Sequence, residues 1–520
     1  MLNFLRVFIS TRKPPVPTTM ERLPVELVAR ICWHLCPHCQ SPDHFPNADT
    51  DEALLAKASL ARLARVSKSM CAIAQPFVFH YYATGNLPSI FLDGDPGYSF
   101  DEPSWPQDND QLPYFLRSVI DRPDLAKCVR ALQLVTPSHY DKHSVPWHKG
   151  DNDDALPAIQ AASAELGLMA FNALHPDYEA WACDTPGVDS RPVTGEVLHH
   201  ILEQLAILLC PNVSTLLLAG TFGLSYGKLI RSSERTLPAL KTIALLSQSE
   251  ARHYAHSGPL LTLAPNLETI YAADLRESEN GFREWAPALE GTFAKLQSVH
   301  VHDLGVDGLR SMVRSCPELR ELHYTHTVYY LFYESTDCQA IATALEPVRK
   351  TLRRLSIEVL LEPEPFSDEE HVDMVIESLG RFENLEELTV HQGAVHVYTD
   401  PGQEEPLPGW LAGFLPRSIV AFHITQVYQG FAEDLYALAR DAPSGLPHLR
   451  SVIVSCIQHS TRYRFDEPTR NELQDLFEAV GISLSWGENV RGEELRLIPG
   501  LPIADGILVG DVRVWTAEVL

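Results

Sequence analysis

The stretch Leu267–Ala272, LETIYA, decides the fold, because a six-residue phrase with apolar side chains at its first, fourth and sixth places keeps returning along the chain. It recurs as VSTLLL from Val213, LKTIAL from Leu240, LQSVHV from Leu296, LRELHY from Leu319, LRRLSI from Leu352, LEELTV from Leu385 and LRSVIV from Leu449. Weaker copies stand at VRALQL from Val129 and IVAFHI from Ile419. The step is 27 residues from Val213 to Leu240, 27 to Leu267, 29 to Leu296, 23 to Leu319, and 33 to each of Leu352 and Leu385. Alternation over six residues is strand grammar, and a recurring period of this length is the signature of a stacked repeat. Several phrases share a lead-in of the type CPN, LPA, APN, CPE or LPH.

Helical patterns fall between the phrases: EVLHHILEQLAILL before Val213, VDGLRSMVRS before Leu319 and DEEHVDMVIESLG before Leu385. The expected fold class is therefore α/β: a small all-α module followed by an irregular leucine-rich-repeat-like solenoid, its parallel sheet on the concave face and its helices outside. Places one, four and six are expected inside. Places three and five are expected to line the open face, which makes Tyr271, His300, His323, Arg354 and His423 the candidate target-binding residues, with Glu321 and Thr389 beside them.

Outward from the repeats, residues 1–20 are expected to be a disordered lead-in ending in PPVP. Residues 21–85 carry helical periodicity interrupted by a loop, 36–58; residues 86–111 are a Gly-, Pro- and Asp-rich linker. The solenoid is expected over 112–480, with an insertion at 136–196 holding one helix near Ala155–Leu168. Residues 481–520 contain GISLSWG, ELRLIP and ILVGDVRVW, alternating patterns expected to cap the open end.

Composition excludes whole classes. Lysine and arginine number 41 against 68 acidic residues, a net charge of −27 that repels nucleic acid and anionic lipid. Ten scattered cysteines suit free thiols in a reducing compartment, so a cytoplasmic or nuclear location is expected. No run reaches the ~18 apolar residues of a membrane span, and no membrane partner is expected.

The residues Leu23, Pro24, Glu26, Leu27, Ile31 and Leu35, followed by Leu60, Leu63, Val66, Ser67, Lys68 and Ile73, resemble the F-box family, with Met70 in place of its usual bulky aromatic. The ending QPFVFHYYATGN resembles that of fungal F-box proteins with leucine-rich repeats. The resemblance implies that Leu23, Pro24, Glu26, Leu27, Ile31, Leu35, Leu63 and Val66 contact a Skp-type adaptor. It also implies a non-catalytic substrate receptor of an SCF-type cullin-RING ubiquitin ligase, whose partners are that adaptor, the ligase core and a target protein. A scaffold role without ubiquitin transfer is the alternative.

Two chemical motifs stand beside this. Gly223, Ser225 and Gly227 match the G-x-S-x-G nucleophile elbow, which leaves a serine hydrolase as a remote alternative, but no HGGG-type oxyanion loop precedes them. Cys36 and Cys39 form a CxxC with Cys32, His34, His38 and His44 near by. A closed zinc site needs four ligands and the spacing fixes two, so a reduced thiol loop is expected and no metal or other cofactor is assigned.

Overall fold

The computed structural model describes residues 23–42, 45, 51–84, 111–135, 156–166, 194–220, 235–247, 258–273, 292–302, 304–328, 337–361, 375–395, 409–427, 431–457 and 465–489. The lead-in, nearly all of the 86–111 linker, most of the 136–196 insertion, Ser225, ELRLIP and ILVGDVRVW lie outside the described residues. The strands are β1 (Tyr81–Ala83), β2 (Ala131–Val135), β3 (Thr215–Gly220), β4 (Thr242–Ser247), β5 (Thr269–Ala273) and β6 (Ser298–His302), then β7 (Glu321–Val328), β8 (Arg354–Leu361), β9 (Glu387–His391), β10 (Ala421–Val427), β11 (Ser451–Ile457) and β12 (Ser483–Asn489). They form one 12-stranded sheet in sequence order. Every neighbouring pair is parallel. Parallel neighbours require a crossover between them, and sequential order means that each crossover advances by one strand. The result is a mixed α/β protein whose topology is compatible with a solenoid-like fold.

Each of the ten phrases is a strand, and each strand begins at the phrase's third place. All first, fourth and sixth places are buried, from Val129, Leu132 and Leu134 to Leu449, Val452 and Val454. They pack into one continuous core with apolar residues of the connecting segments, among them Leu116, Leu205, Leu260, Leu309, Met312, Ile341, Leu438 and Phe477. At roughly 1.5–3 kcal/mol per buried aliphatic side chain, this core is the main favourable term that offsets ordering so long a chain.

Two strands lie beyond the ten phrases. In β1 the phrase is FHYYAT, from Phe79, where Phe79 and Tyr82 replace the usual aliphatics and stack on Phe115. In β12 it is GISLSW, from Gly481, whose φ of 78° glycine adopts without strain. The segment expected to cap the sheet thus begins by extending it.

The helices are α1 (Val25–His34), α2 (Pro37–Gln40), α3 (Asp51–Ala64), α4 (Lys68–Val78), α5 (Leu112–Asp121), α6 (Pro123–Ala126) and α7 (Leu156–Glu165), then α8 (Thr194–Leu209), α9 (Gly258–Thr262), α10 (Val306–Arg314), α11 (Cys338–Ala344), α12 (Trp410–Phe414), α13 (Ala432–Gly445) and α14 (Glu467–Ala479). Among the described residues, no helix is long and apolar enough to cross a membrane. Helices α1, α3 and α4 share a separate small core of Val28, Cys32, Cys36, Leu60, Leu63, Met70 and Ala74. Ser67 caps α4, its hydroxyl accepting from Met70 N at 3.3 Å, which gives the Val-Ser-Lys phrase its physical meaning.

One expected helix is absent where it can be seen. DEEHVDMVIESLG predicts a helix over 368–380, yet the described part, 375–380, is not helical. Its backbone bonds outward instead: Ile376 N donates to Ala394 O at 2.8 Å, Leu379 N to Phe414 O at 2.9 Å, and Glu377 N to the Gln339 side chain at 2.9 Å. Ile376 and Leu379 remain buried. Tertiary hydrogen bonds thus supplant the local helical ones while the apolar spacing is kept.

Replacing Leu322, fully buried at a fourth place, by alanine is expected to lower stability by about 3 kcal/mol. Val420→Ala, at an exposed second place, is expected to change it by less than about 0.5 kcal/mol. Urea denaturation of the two variants measures the contrast.

Candidate docking surfaces

The first surface is apolar and lies on the amino-terminal helices. Leu27 and Ile31 are one helical turn apart, so they share a face of α1, but the stripe that α1 buries is Val28 and Cys32, one residue along. Leu27 is left 49% exposed and Ile31 38%; Leu23, Val25 and Trp33 on or beside α1 are exposed too. Val66, just after α3, is 50% exposed. Pro24 and Glu26 are exposed. Six of the expected adaptor contacts are therefore solvent-facing: Leu23, Pro24, Glu26, Leu27, Ile31 and Val66.

Leu63 is a correction. It is only 7% exposed, part of the small core between α3 and α4, and has no surface to offer a partner. Its spacing from Leu60 places both on the buried side of α3. Leu35 is half-buried, packed against the same core. Conversely, Leu54 and Leu55 in α3 are exposed at 55% and 62% and belong with the apolar surface. An adjacent leucine pair cannot both follow the Ala53, Leu60, Leu63 stripe, and that was the signal available in the sequence.

The second surface is the sheet face formed by places three and five. At places three, four successive strands carry Thr215, Thr242, Thr269 and Ser298; the next three carry Glu321, Arg354 and Glu387. At places five, Tyr271, His300 and His323 stand side by side on β5, β6 and β7. Tyr271 stacks on His300 with ring centroids 4.5 Å apart, and His300 on His323 at 4.4 Å, the latter two rings nearly parallel at 6°. Glu321 is the hub. It accepts from Ser298 Oγ at 3.2 Å and from Arg354 Nη2 at 2.8 Å, and lies 3.0 Å from His323 Nε2. Burial alone would raise the Glu321 carboxyl, but His323, His300 and Arg354 outweigh it and hold the group at about 2.

This face is not open throughout, which corrects the expectation that places three and five all line an accessible surface. Ala131, Gln133, Thr215, Leu217 and Ala244 are buried at its start, and Ser356 is buried on β8. Two contacts show what the amino-terminal region contributes to this. The Lys57 ammonium of α3 sits 4.5 Å above the Tyr81 ring, and Phe45, in the 36–58 insert, packs edge-on against Tyr271 with centroids 6.5 Å apart. His300 is only 5% exposed, sandwiched between two rings, and so supports the ladder rather than meeting a partner. Tyr271 and His323 are half-buried, and Arg354 is exposed. His423, on β10, is separate from them and pairs with Ser455 Oγ at 2.8 Å.

The insert also gathers donors of another kind. His38 and His80 join Cys36 and Cys39 in one cluster, which the sequence spacing leaves incomplete because His80 comes from beyond α4. Comparison of the chain with protein-family models and with curated proteins returns no match.

Burial holds three histidines below their usual range: His300 at about 3, and His391 and His423 at about 4. They are neutral in the fold and take a proton in the unfolded chain near 6.5, so acid favours unfolding through the window from 6.5 down to about 4. The thermal midpoint is expected to fall across that window, and His423→Gln to flatten the fall. A pH series of melting curves for both proteins measures it; equal slopes would remove His423 from the account.

Proposed function

We propose that this chain is an F-box protein, the substrate-receptor subunit of an SCF-type cullin-RING ubiquitin ligase, with a leucine-rich-repeat-like solenoid as its recognition domain. The observation that carries the proposal is the exposed apolar strip of Leu23, Pro24, Leu27, Ile31 and Val66 on a small helical unit with its own core. Apolar side chains of this size left half open on adjacent turns are a docking surface, since covering the exposed half of each is worth roughly 1 kcal/mol. These are the residues at which the F-box pattern places adaptor contacts.

In this reading the sheet face supplies the second half of the function. Around Tyr271, His323, Glu321 and Arg354 the polar groups are tied to one another across strands, an array of fixed donors, acceptors and ring faces suited to holding a protein segment. The role is positioning: the adaptor end fixes the chain to the ligase core, and the sheet face brings the target to the transferred ubiquitin. No bond is made or broken by this chain.

Replacing Leu27 and Ile31 together by aspartate is expected to abolish recovery of a Skp-type adaptor and cullin from co-expression, with the far-UV spectrum unchanged because neither side chain is buried. Unchanged recovery would sink the proposal. Adaptor recovery without cullin, or without ubiquitin transfer to any co-purified protein, would favour the scaffold role.

A further inference from the structure

We propose that Cys36, His38, Cys39 and His80 form a structural zinc site that clips the amino-terminal helices to the first strand of the sheet. One ligand atom from each lies within 4.8 Å of every other, the arrangement that four-coordinate binding starts from. Cys39 Sγ is 3.1 Å and Cys36 Sγ 3.7 Å from His80 Nδ1. Around a tetrahedral zinc, with metal–sulfur bonds of about 2.3 Å and metal–nitrogen bonds of about 2.0–2.1 Å, ligand atoms stand roughly 3.3–3.8 Å apart. The separations therefore need to change by about 1.5 Å at most, within the reach of side-chain rotation.

Local structure explains how three of the donors come together. Pro37 opens the single turn α2, Cys36 precedes it as cap, and the amides of Cys39 and Gln40 donate to Cys36 O at 3.0 and 3.2 Å. That turn gathers Cys36, His38 and Cys39. The fourth donor arrives from the end of α4, 41 residues beyond Cys39 in sequence.

The donor set is two thiols and two imidazoles, the soft N/S combination that selects zinc over the hard, oxygen-bound cations. Charge favours it as well. Two thiolates neutralise one Zn²⁺, so the complex carries no net charge into a site where Cys36 and His38 are buried. A dithiol exchange centre is the rival for any CxxC, but exchange needs both sulfurs in turn, and while Cys39 is half-buried, Cys36 is fully buried. Nor does exchange employ two converging imidazoles.

The site has a structural task in proportion to its cost. The core of α1, α3 and α4 is small and includes Cys36 itself, and small cores are commonly reinforced by a metal. His80 also belongs to the sheet: its carbonyl accepts from Arg130 N at 2.7 Å and Ala131 N at 3.0 Å, the first rung between β1 and β2. A metal on the His80 ring would tie α2 directly to that rung.

The full chain, reduced and incubated with zinc, then dialysed, is expected to retain one zinc per molecule by elemental analysis and to lose thermal stability when chelator is added. Cobalt in place of zinc should give the intense d–d bands of a tetrahedral site with charge transfer from two thiolates. Cys39→Ser is expected to weaken zinc binding by more than ~100-fold, beyond what loss of an outer-shell contact produces, while Cys128→Ser, outside the cluster, retains the metal. Because Cys39→Ser could unfold the helices, His38→Gln read by the cobalt spectrum is the second variant: the charge-transfer bands stay and the d–d pattern changes. Failure of the reduced wild-type chain to hold stoichiometric metal would overturn the site. So would full retention in Cys39→Ser, or a Cys36–Cys39 disulfide that takes up no zinc after reduction. None of these outcomes depends on whether an adaptor binds.

Discussion

Everything in the sheet depends on one repeated hydrogen-bond arrangement at the second place of each phrase. That carbonyl accepts two amides from the next strand's start: Arg130 O takes Ser214 N and Thr215 N, Ser214 O takes Lys241 N and Thr242 N, Lys241 O takes Glu268 N and Thr269 N, and the pattern continues through Glu268, Gln297, Arg320, Arg353, Glu386 and Val420. Because successive side chains of a strand point to opposite faces, register decides which set is buried. A one-residue slip anywhere would turn a Leu-Leu pair outward and a Glu-Thr or Arg-Ser pair into the core. The shared carbonyl fixes the register at the point where each strand begins. The segments between the rungs are then free to vary in length, from 23 to 33 residues between clear phrases, without disturbing the stack.

Asparagine reinforces the same rung. Asn212, Asn266 and Asn384 each precede a first-place residue and donate to a backbone carbonyl of the preceding unit: Lys127 O at 2.8 Å, Pro238 O at 2.8 Å and Lys350 O at 2.7 Å. The CPN and APN lead-ins were visible in the sequence, but their role needs two units side by side. The same holds for other features. The six-place alternation was legible because burial imposes it locally. The strand at Tyr81 was hidden because aromatics do the work of leucine there; the alternation at Ser483 was legible, but its place in the repeat register was not, because a glycine stands at the first place. The helix predicted over 368–380 is not formed in its described part, 375–380, because its apolar spacing serves two backbones equally well. The donors of the proposed zinc site were visible in part: Cys36, His38 and Cys39 are neighbours in sequence, whereas His80 meets them only after α3 and α4 fold back.

The face opposite the main core shows how one scaffold can be graded along its length. Its first strands carry uncharged side chains, Ala131, Gln133, Thr215, Leu217 and Ala244, all buried; the middle strands carry Tyr271, His323, Glu321 and Arg354, partly or largely open to solvent. The change in composition follows the change in environment. A buried Glu or Arg would demand pairing, while a buried Ala demands nothing. At the transition, Glu321 is held ionised by Arg354 and its neighbours, and the stacked rings of Tyr271, His300 and His323 keep the strands' side chains in single orientations. Rigid donors and acceptors bind with little ordering cost, which favours recognition at this end of the exposed face.

The relation between the two surfaces is itself a structural property. Among the described residues, links from the helices to the sheet include Lys57 over Tyr81 and Tyr82, Phe45 against Tyr271, and the cluster in which His80 meets Cys36 and Cys39. The first two are single contacts worth roughly 0.5–2 kcal/mol each. The third is different in kind, because His80 is a side-chain partner of α2 and a backbone rung of β1 at once. In the proposed receptor, orientation is what the chain contributes, since a target must be held where ubiquitin arrives. A metal at that junction would fix the angle between the docking strip and the recognition face, and the 36–58 insert would be the element that sets it.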